Sequence, residues 1–478
     1  MGRPVWWVRS LVWCAAALLL GAAACTGGGG PDRRATGRPV TGTQLVIATG
    51  LDVTGKYGIR KRLVDAWNAL QEKRGSPWRA RAVLLPGSAD LQRSQLLAAL
   101  QSGGAAYDIV NLDVTWVPEF AAAGLVRELP AEFADDEDVL PKAAATARWR
   151  GKVYAAPYNS DAGLLYYRRD YLTRGAGVDE DKIRGARTWD GLSELMDTAD
   201  AWARAEKSDR KGDYHNAWTS QLGPYEGLTV NAAEAFASAG VRLTDDDGAY
   251  RATTGELEKG VAEFRRRTES AHTLDSAFES DEAGSLKDFA EGRTAFLRHW
   301  PYAYRTLHAA LGEDRLGVVP LPGTAALGGQ DLAVSANPAM PAERVAKARE
   351  LVGFLTDRTS ERCLLDAGFA ATRRSAYTDP AVACGDGRQD PAATRPAEGA
   401  ARDMPRDADG RPRYARSTLL PALESAVQRP RTPLYGAFTH TFTTQLALLH
   451  TSAEARSATD EEIARRLDAA LRAVLPSG

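Results

Sequence analysis

The chain has 478 residues and a formal net charge of −2, with 60 Lys and Arg against 62 Asp and Glu; 44% of residues are hydrophobic and 26% charged. That length exceeds one hydrophobic core and calls for two lobes or domains, and the composition is that of an ordinary globular protein. No basic excess exists, which argues against nucleic acid as a partner. The six histidines are scattered and form no H-x-x-x-H group, and no C-x-x-C occurs, so neither a metal site nor a cofactor is expected.

In chain order, Arg3 and Arg9 bracket two tryptophans ahead of an apolar run, Leu11 to Leu20, then Gly21, three alanines, Cys25, Thr26 and four glycines. A charged start, a short apolar core and a small-residue exit predict an export signal over residues 1–24. The apolar core is about 10 residues, against the ~20 of a membrane-spanning helix. No later apolar run is long enough to span a bilayer. Cys25 after the small residues resembles the lipobox of bacterial lipoproteins, in which the thiol is acylated. Ala22 stands where a lipobox usually has Leu, and cleavage after Ala24 without acylation is the alternative. Gly27 to Gly30, Pro31 and Thr41 to Thr43 predict a flexible tether over 25–43, which an anchored domain needs and which favours acylation. Cys14 departs with the signal. Cys363 and Cys384 then remain as an even pair in an oxidising compartment, so a disulfide is expected over two buried free thiols.

Residues 45–125 alternate two periods. Leu45-Val46-Ile47-Ala48 reads as a strand, and Ile59, Leu63, Trp67 and Leu70 recur at helical spacing up to Gly75. Ala80 to Leu85 reads as a second strand, ended by Pro86-Gly87. Leu91, Leu96, Ala99 and Leu100 lie in a second helix, stopped by Gly103-Gly104, and Asp108 to Leu112 form a third strand. This βαβαβ order predicts a parallel sheet with covering helices, whose ligands bind beyond the carboxyl ends of the strands. Those ends carry Thr49 to Gly55, Pro86-Gly87-Ser88 and Asp113 to Trp116. From about 158 to 325 the mixed pattern repeats. Helices are predicted around Leu192 to Ala203, Asn231 to Ala239 and Leu257 to Arg266, and strands at Thr294 to Leu297 and Leu316 to Val319. In the more helical last third, Val345, Leu351, Val352 and Leu355 form one apolar face. Thr459-Asp460-Glu461-Glu462 opens the final helix as a capping box, with Ile463, Leu467, Leu471 and Val474 on one side. Residues 385–413, rich in Asp, Arg, Pro, Ala and Gly without a period, read as a surface excursion.

Four segments concentrate aromatic rings with carboxylates or amides: Asn111 to Trp116, Val153 to Tyr167, Gln221 to Leu228, and Arg298 to Tyr304. The mix suits a carbohydrate, whose C–H faces pack on flat rings while its hydroxyls donate to and accept from Asp, Glu and Asn. Lys and Arg are sparse there, which argues against a strongly anionic ligand. Tyr166, Tyr167 and Trp67 read as core, and Trp189 as a helix entry. Trp300 sits at a strand end before Pro301 and favours ligand contact, as do Asp113 and Trp116 after theirs. Glu226 is balanced between ligand contact and an ordinary salt bridge, and Asp52 between ligand contact and loop capping.

Taken in order, these stretches resemble the extracellular solute-binding proteins of carbohydrate ABC importers, above all the actinobacterial trehalose/maltose-type lipoproteins. The similar stretches are Tyr107 to Asp113, Gly151 to Pro157, Gly163 to Asp170, Tyr225 to Asn231, Phe289 to Phe296, Trp300-Pro301-Tyr302 and Leu327-Gly328-Gly329. The resemblance implies an α/β fold of two lobes joined by two or three crossing strands, a ligand cleft between them and closure about the hinge. It divides the chain into lobe 1, residues 44–157 plus 328–378, and lobe 2, residues 158–327 plus 379–478. It implies no reaction and no cofactor. The expected role is to bind a di- or oligosaccharide outside the cell, as a monomer held by lipid on the outer face of the cytoplasmic membrane, and to deliver it to ABC permease subunits. The cleft residues carried over are Asp52, Asp113, Trp116, Asn159, Asp161, Glu226, Trp300 and Tyr302, then Gly328, Gly329 and Asp331, and Arg429 from a late Arg-Pro segment. Two positions depart from the pattern: Gln330 stands where the family often has tryptophan, and His299 where it commonly has Asn.

Two other classes compete. An exported glycoside hydrolase would pair Glu226 with Asp113 or Asp161 as two carboxylates about 5–9.5 Å apart. A binding protein for a peptide or polyamine, or one serving a sensor, would share the fold with a different cleft.

Overall fold

Two sheets carry the architecture of the chain, seen in a computed structural model. The structure describes residues 42–51, 58–103, 106–206, 212–268, 271–388 and 404–476. The signal segment 1–24, Cys25 and the tether up to residue 41 lie outside the described residues, as does Asp52. The described residues belong to one compact unit running from Gly37.

The first sheet forms as the alternating pattern predicts. Strands β1 (Gln44–Gly50), β2 (Arg79–Leu85) and β3 (Ile109–Asp113) lie parallel in the order β2-β1-β3. Leu45 to Gly50 are buried without alternation, the pattern of a strand covered on both faces. After a small ribbon of β4 (Arg148–Trp149) and β5 (Lys152–Val153), strand β6 (Ala156–Ala162) joins the same sheet. One residue, Gly163, separates it from β7 (Leu164–Arg168), which belongs to the second sheet. There β8 (Asn216–Thr219), β9 (Thr294–His299) and β10 (Leu316–Pro320) complete the order β10-β7-β9-β8. The chain then returns: β11 (Ala326–Val334) runs antiparallel to both β3 and β6, and the short β12 (Val427–Gln428) pairs with its beginning. Among the described residues the strand path therefore crosses between the sheets twice, at Gly163 and at 321–325.

Helices cover the sheets where their apolar faces fall. Helix Ile59–Lys73 buries Ile59, Leu63 and Trp67 and packs on Ala342–Leu355 and Arg358–Ala367. The final helix, Asp460–Val474, has the expected capping box between Thr459 and Glu462 and buries Ile463, Leu467 and Leu471. It lies along Thr254–Arg267, and Tyr435–Thr451 lies along Glu226–Ser238. Cys363, in Arg358–Ala367, is joined to Cys384 by a disulfide.

The excursion at 385–413 needs one correction. Its described flanks are anchored rather than superficial: Arg388 and Arg411 are buried, the former paired with Asp357 at 2.7 and 2.9 Å, the latter donating to the Ala376 carbonyl at 3.0 Å. A guanidinium with acceptors in fixed positions can be interred where an unpaired charge could not. Residues 389–403 lie outside the described residues.

Candidate ligand-binding site

The carboxyl ends of β1, β3 and β6 meet the first half of β11 on one edge of the first sheet, and polar side chains gather there. Arg60, in the first turn of helix Ile59–Lys73, donates from Nη1 to Thr49 Oγ1 at 3.2 Å and to the Gly50 carbonyl at 3.3 Å. Its Nη2 donates to Asn159 Oδ1 at 3.3 Å and to Gln330 Oε1. Asn111 Nδ2 donates to the same Gln330 oxygen and to Thr49 Oγ1, both at 2.9 Å. Gln330 thus completes a polar floor at the position where the family that the sequence resembles often has tryptophan. Asn111 Oδ1 has no hydrogen-bond partner among the described residues and is closed off from solvent.

A second cluster joins segments far apart in the chain. Arg429, just beyond β12, donates from Nη2 to Asp113 Oδ1 at 2.7 Å and from Nη1 to Glu226 Oε1 at 2.5 Å. The Tyr435 hydroxyl donates to Glu226 Oε1 at 2.5 Å and Thr439 Oγ1 to Oε2 at 2.8 Å. Glu226 is the first residue of helix Glu226–Ser238, where a carboxylate suits the helix dipole, and its own N–H donates to Asp90 Oδ2 at 3.2 Å. Burial pushes Glu226 up, to about 7, against the pull of Arg429. Burial also opposes the charge on Arg429, but Asp113, Tyr435 and Glu226 outweigh it and raise its pKa. Glu226 and Asp113 thus share one arginine.

The third cluster is aromatic. Trp300 lies at the end of β9, half-buried, and Tyr302 follows two residues later with its ring 5.3 Å from that of His299. Gly328 faces Trp300 and Asp161: a Cβ there would lie 3.0 Å from Trp300 Cζ3 and 3.2 Å from Asp161 Cβ. Gly329 has φ +116° and passes so close to Asn159 that a Cβ would lie 2.3 Å from its carbonyl oxygen, which only glycine allows. Asp161 Oδ1 is closed off from solvent and has no hydrogen-bond partner among the described residues. Burial pushes Asp161 up, to about 7, although Arg60 pulls it down.

Most of the residues named from sequence therefore converge. Asn159, Asp161, Gly328, Gly329, Trp300 and Tyr302 lie together, and Asp113, Glu226 and Arg429 form the adjoining ionic bridge. Trp116 is placed differently: it is 4% exposed, within the apolar core beside Val117 and Phe120. Asp331 is 1% exposed, its Oδ2 is unpartnered among the described residues, and burial pushes it up to about 8. Sequence reasoning placed Thr49 at a strand end and Asn111 in an aromatic segment without carrying either to the cleft, and passed over Arg60. A signal existed for Arg60, because a cation in the first helical turn opposes the dipole and implies waiting acceptors.

Comparison with known proteins bears on the family and the fold. Residues 83–394 match the family model described as bacterial extracellular solute-binding protein. A probable ABC transporter-binding protein of Deinococcus radiodurans is 27% identical over 341 residues, 67% of this chain and 74% of that protein. Among solved structures, a maltose-bound MalE3 of T. maritima aligns with TM-score 0.69 and 22% identity, covering 90% of this chain and 100% of that one. A solute-binding protein of Agrobacterium vitis with bound D-mannitol aligns with TM-score 0.61 and 17% identity, covering 89% and 96%. The fold is therefore the two-lobed α/β fold of periplasmic binding proteins.

Proposed function

The chain belongs to the bacterial extracellular solute-binding proteins, binding proteins rather than enzymes, and from that premise we propose that it captures a sugar or polyol for an ABC import system. The observation that carries the reading is the half-buried Trp300 beside Asp161, whose Oδ1 lacks a partner among the described residues, over Gly328 and Gly329 of β11. A flat ring beside an acceptor with no protein partner suits a ligand with C–H faces and hydroxyl rims. The relatives' bound maltose and mannitol support the same class. Asn159, Tyr302 and Asn111 join this contact set, and Asp113, Glu226 and Arg429 tie the walls of the cleft. The lobes are divided as 44–157 plus 328–378 and 158–327 plus 379–478, and the monomer closes about the crossing segments. After export the chain is held on the outer face of the membrane by acylation at Cys25 and hands its ligand to the permease.

Titration with trehalose, maltose, longer maltodextrins, tagatose, mannitol and ribitol, followed by tryptophan fluorescence, tests the ligand class. A saturable change with one of these, lost in Trp300→Ala, is expected. Silence across the panel from folded protein would transfer the cleft to a non-sugar solute. Labelled palmitate incorporated by cells expressing the full chain, and absent for Cys25→Ala, tests the anchor.

A further inference from the structure

Trp300 is held by side chains that are themselves buried. Its backbone N–H donates to His299 Nδ1 and its backbone carbonyl accepts from the Tyr166 hydroxyl, each at 2.9 Å. The Arg298 guanidinium lies 3.9 Å from the centre of the indole. Arg298, 1% exposed, is gripped by Glu234 in a fork, Nε to Oε2 at 3.1 Å and Nη2 to Oε1 at 2.6 Å. Gln221 Oε1 accepts from Nη1 at 3.3 Å.

The same ion pair touches two of the crossings. Glu234 Oε1 also accepts the N–H of Ala326, the first residue of β11, at 3.0 Å. At Gly163, between β6 and β7, a Cβ would lie 2.5 Å from Glu234 Oε1 and 3.0 Å from Arg298 Nη2. A buried ion pair can often be replaced by apolar residues without loss of stability, so stability alone is a weak reason for this one. A guanidinium is planar and charged at every relevant pH, which makes it a fitting back plate for an aromatic ring.

We propose that Arg298 and Glu234 are positioning residues for ligand capture: they back one face of Trp300, leave the other for the C–H face of a single sugar ring or polyol chain, and fix that plate to the crossings about which the lobes close. The proposal rests on the sugar-or-polyol reading above. A plate held before the ligand arrives spares the cost of ordering it on binding. Lysine at position 298 would keep the charge and lose the flat stacking surface.

The test is a double-mutant cycle on the full chain, with maltose, trehalose, tagatose, mannitol and ribitol as probes and calorimetric affinity as the readout. Arg298→Lys is expected to weaken the probe that wild type binds by about tenfold, the scale of a desolvated cation–π contact. In the Trp300→Ala background the same change is expected to have no further effect. Equal losses in both backgrounds, or a lowered melting temperature with unchanged affinity, would overturn the proposal. If Arg298→Lys does not fold, the joint replacement Arg298→Met with Glu234→Gln removes both charges and enters the same cycle. Failure of wild type to bind any probe would overturn the sugar reading instead. The ligand-free emission of Trp300, taken as wild type minus Trp300→Ala, then decides positioning: a red shift in Arg298→Lys supports it and an unchanged spectrum overturns it.

Discussion

Asp161 sits where a carboxylate changes character near neutral pH. Burial raises it to about 7, Arg60 draws it back and Asp113 adds repulsion. Above that pH it only accepts hydrogen bonds; below it, one oxygen carries a proton. If the ligand donates a hydroxyl to it, affinity falls by about tenfold between pH 8 and pH 6, as the ionised fraction drops. Calorimetry across that range checks this, and Asp161→Asn is expected to bind more weakly with a flat profile. Stability runs the other way. The folded chain holds this proton more tightly than the unfolded chain, so the contribution is complete below about pH 4 and is lost as pH rises through about 7. Binding and stability are thus opposed at one residue. Gly328 makes a steric counterpart: a methyl there meets Trp300 at 3.0 Å and Asp161 at 3.2 Å. Gly328→Ala is expected to cost about 1 kcal/mol or more of binding by displacing the indole, with little change in urea midpoint, read by titration and denaturation of the same sample.

At the scale of elements, helix Glu226–Ser238 is fixed through two buried carboxylates, Glu226 at its start and Glu234 two turns on. Glu226 meets Arg429, 203 residues away in sequence, and Arg429 meets Asp113, 316 residues away. Arg429→Ala would leave the two acids without their shared cation. A loss of about 3–5 kcal/mol in urea unfolding is expected, the range for breaking a buried pair. The exposed Lys61–Asp65 pair, 77% and 53% exposed, serves as the internal comparison: Lys61→Ala is expected to cost under about 1 kcal/mol. Similar losses for the two variants would sink the bridging role of Arg429. The sequence pointed to all three members of this bridge and left Glu226 open between ligand and salt bridge. It did not show them joined, because that pairing depends on which chain segments the fold brings together. Arg60 was missed for the same reason: its acceptors come from β1, β6 and β11.

Over the whole molecule, legibility followed local regularity. β1 to β3 and their helices were evident because apolar residues recur at helical spacing between short apolar strands. β11 was not evident, although it pairs with β3, β6 and β12. Its centre reads Gly328-Gly329-Gln330-Asp331, glycines and polar residues that ordinarily weaken a strand. Here the glycines admit Trp300 and Asn159, and Gln330 accepts from Arg60 and Asn111, so tertiary contacts override strand propensity. In the proposed site, β11 of the first sheet and Trp300 beyond β9 of the second are tied to one event. With ligand seated against β11, Trp300 and the Arg429 bridge, unfolding must release ligand before the sheets separate. Ligand at a hundred times its dissociation constant then adds about 2.7 kcal/mol, a rise of about 3 °C for a chain of this size melting as one unit. Calorimetry of wild type with the bound sugar is expected to show a single transition moving by that amount. In Trp300→Ala the shift is expected to be smaller at the same concentration. A ligand-induced shift confined to one of two resolved transitions would mean that the ligand is held by one lobe alone.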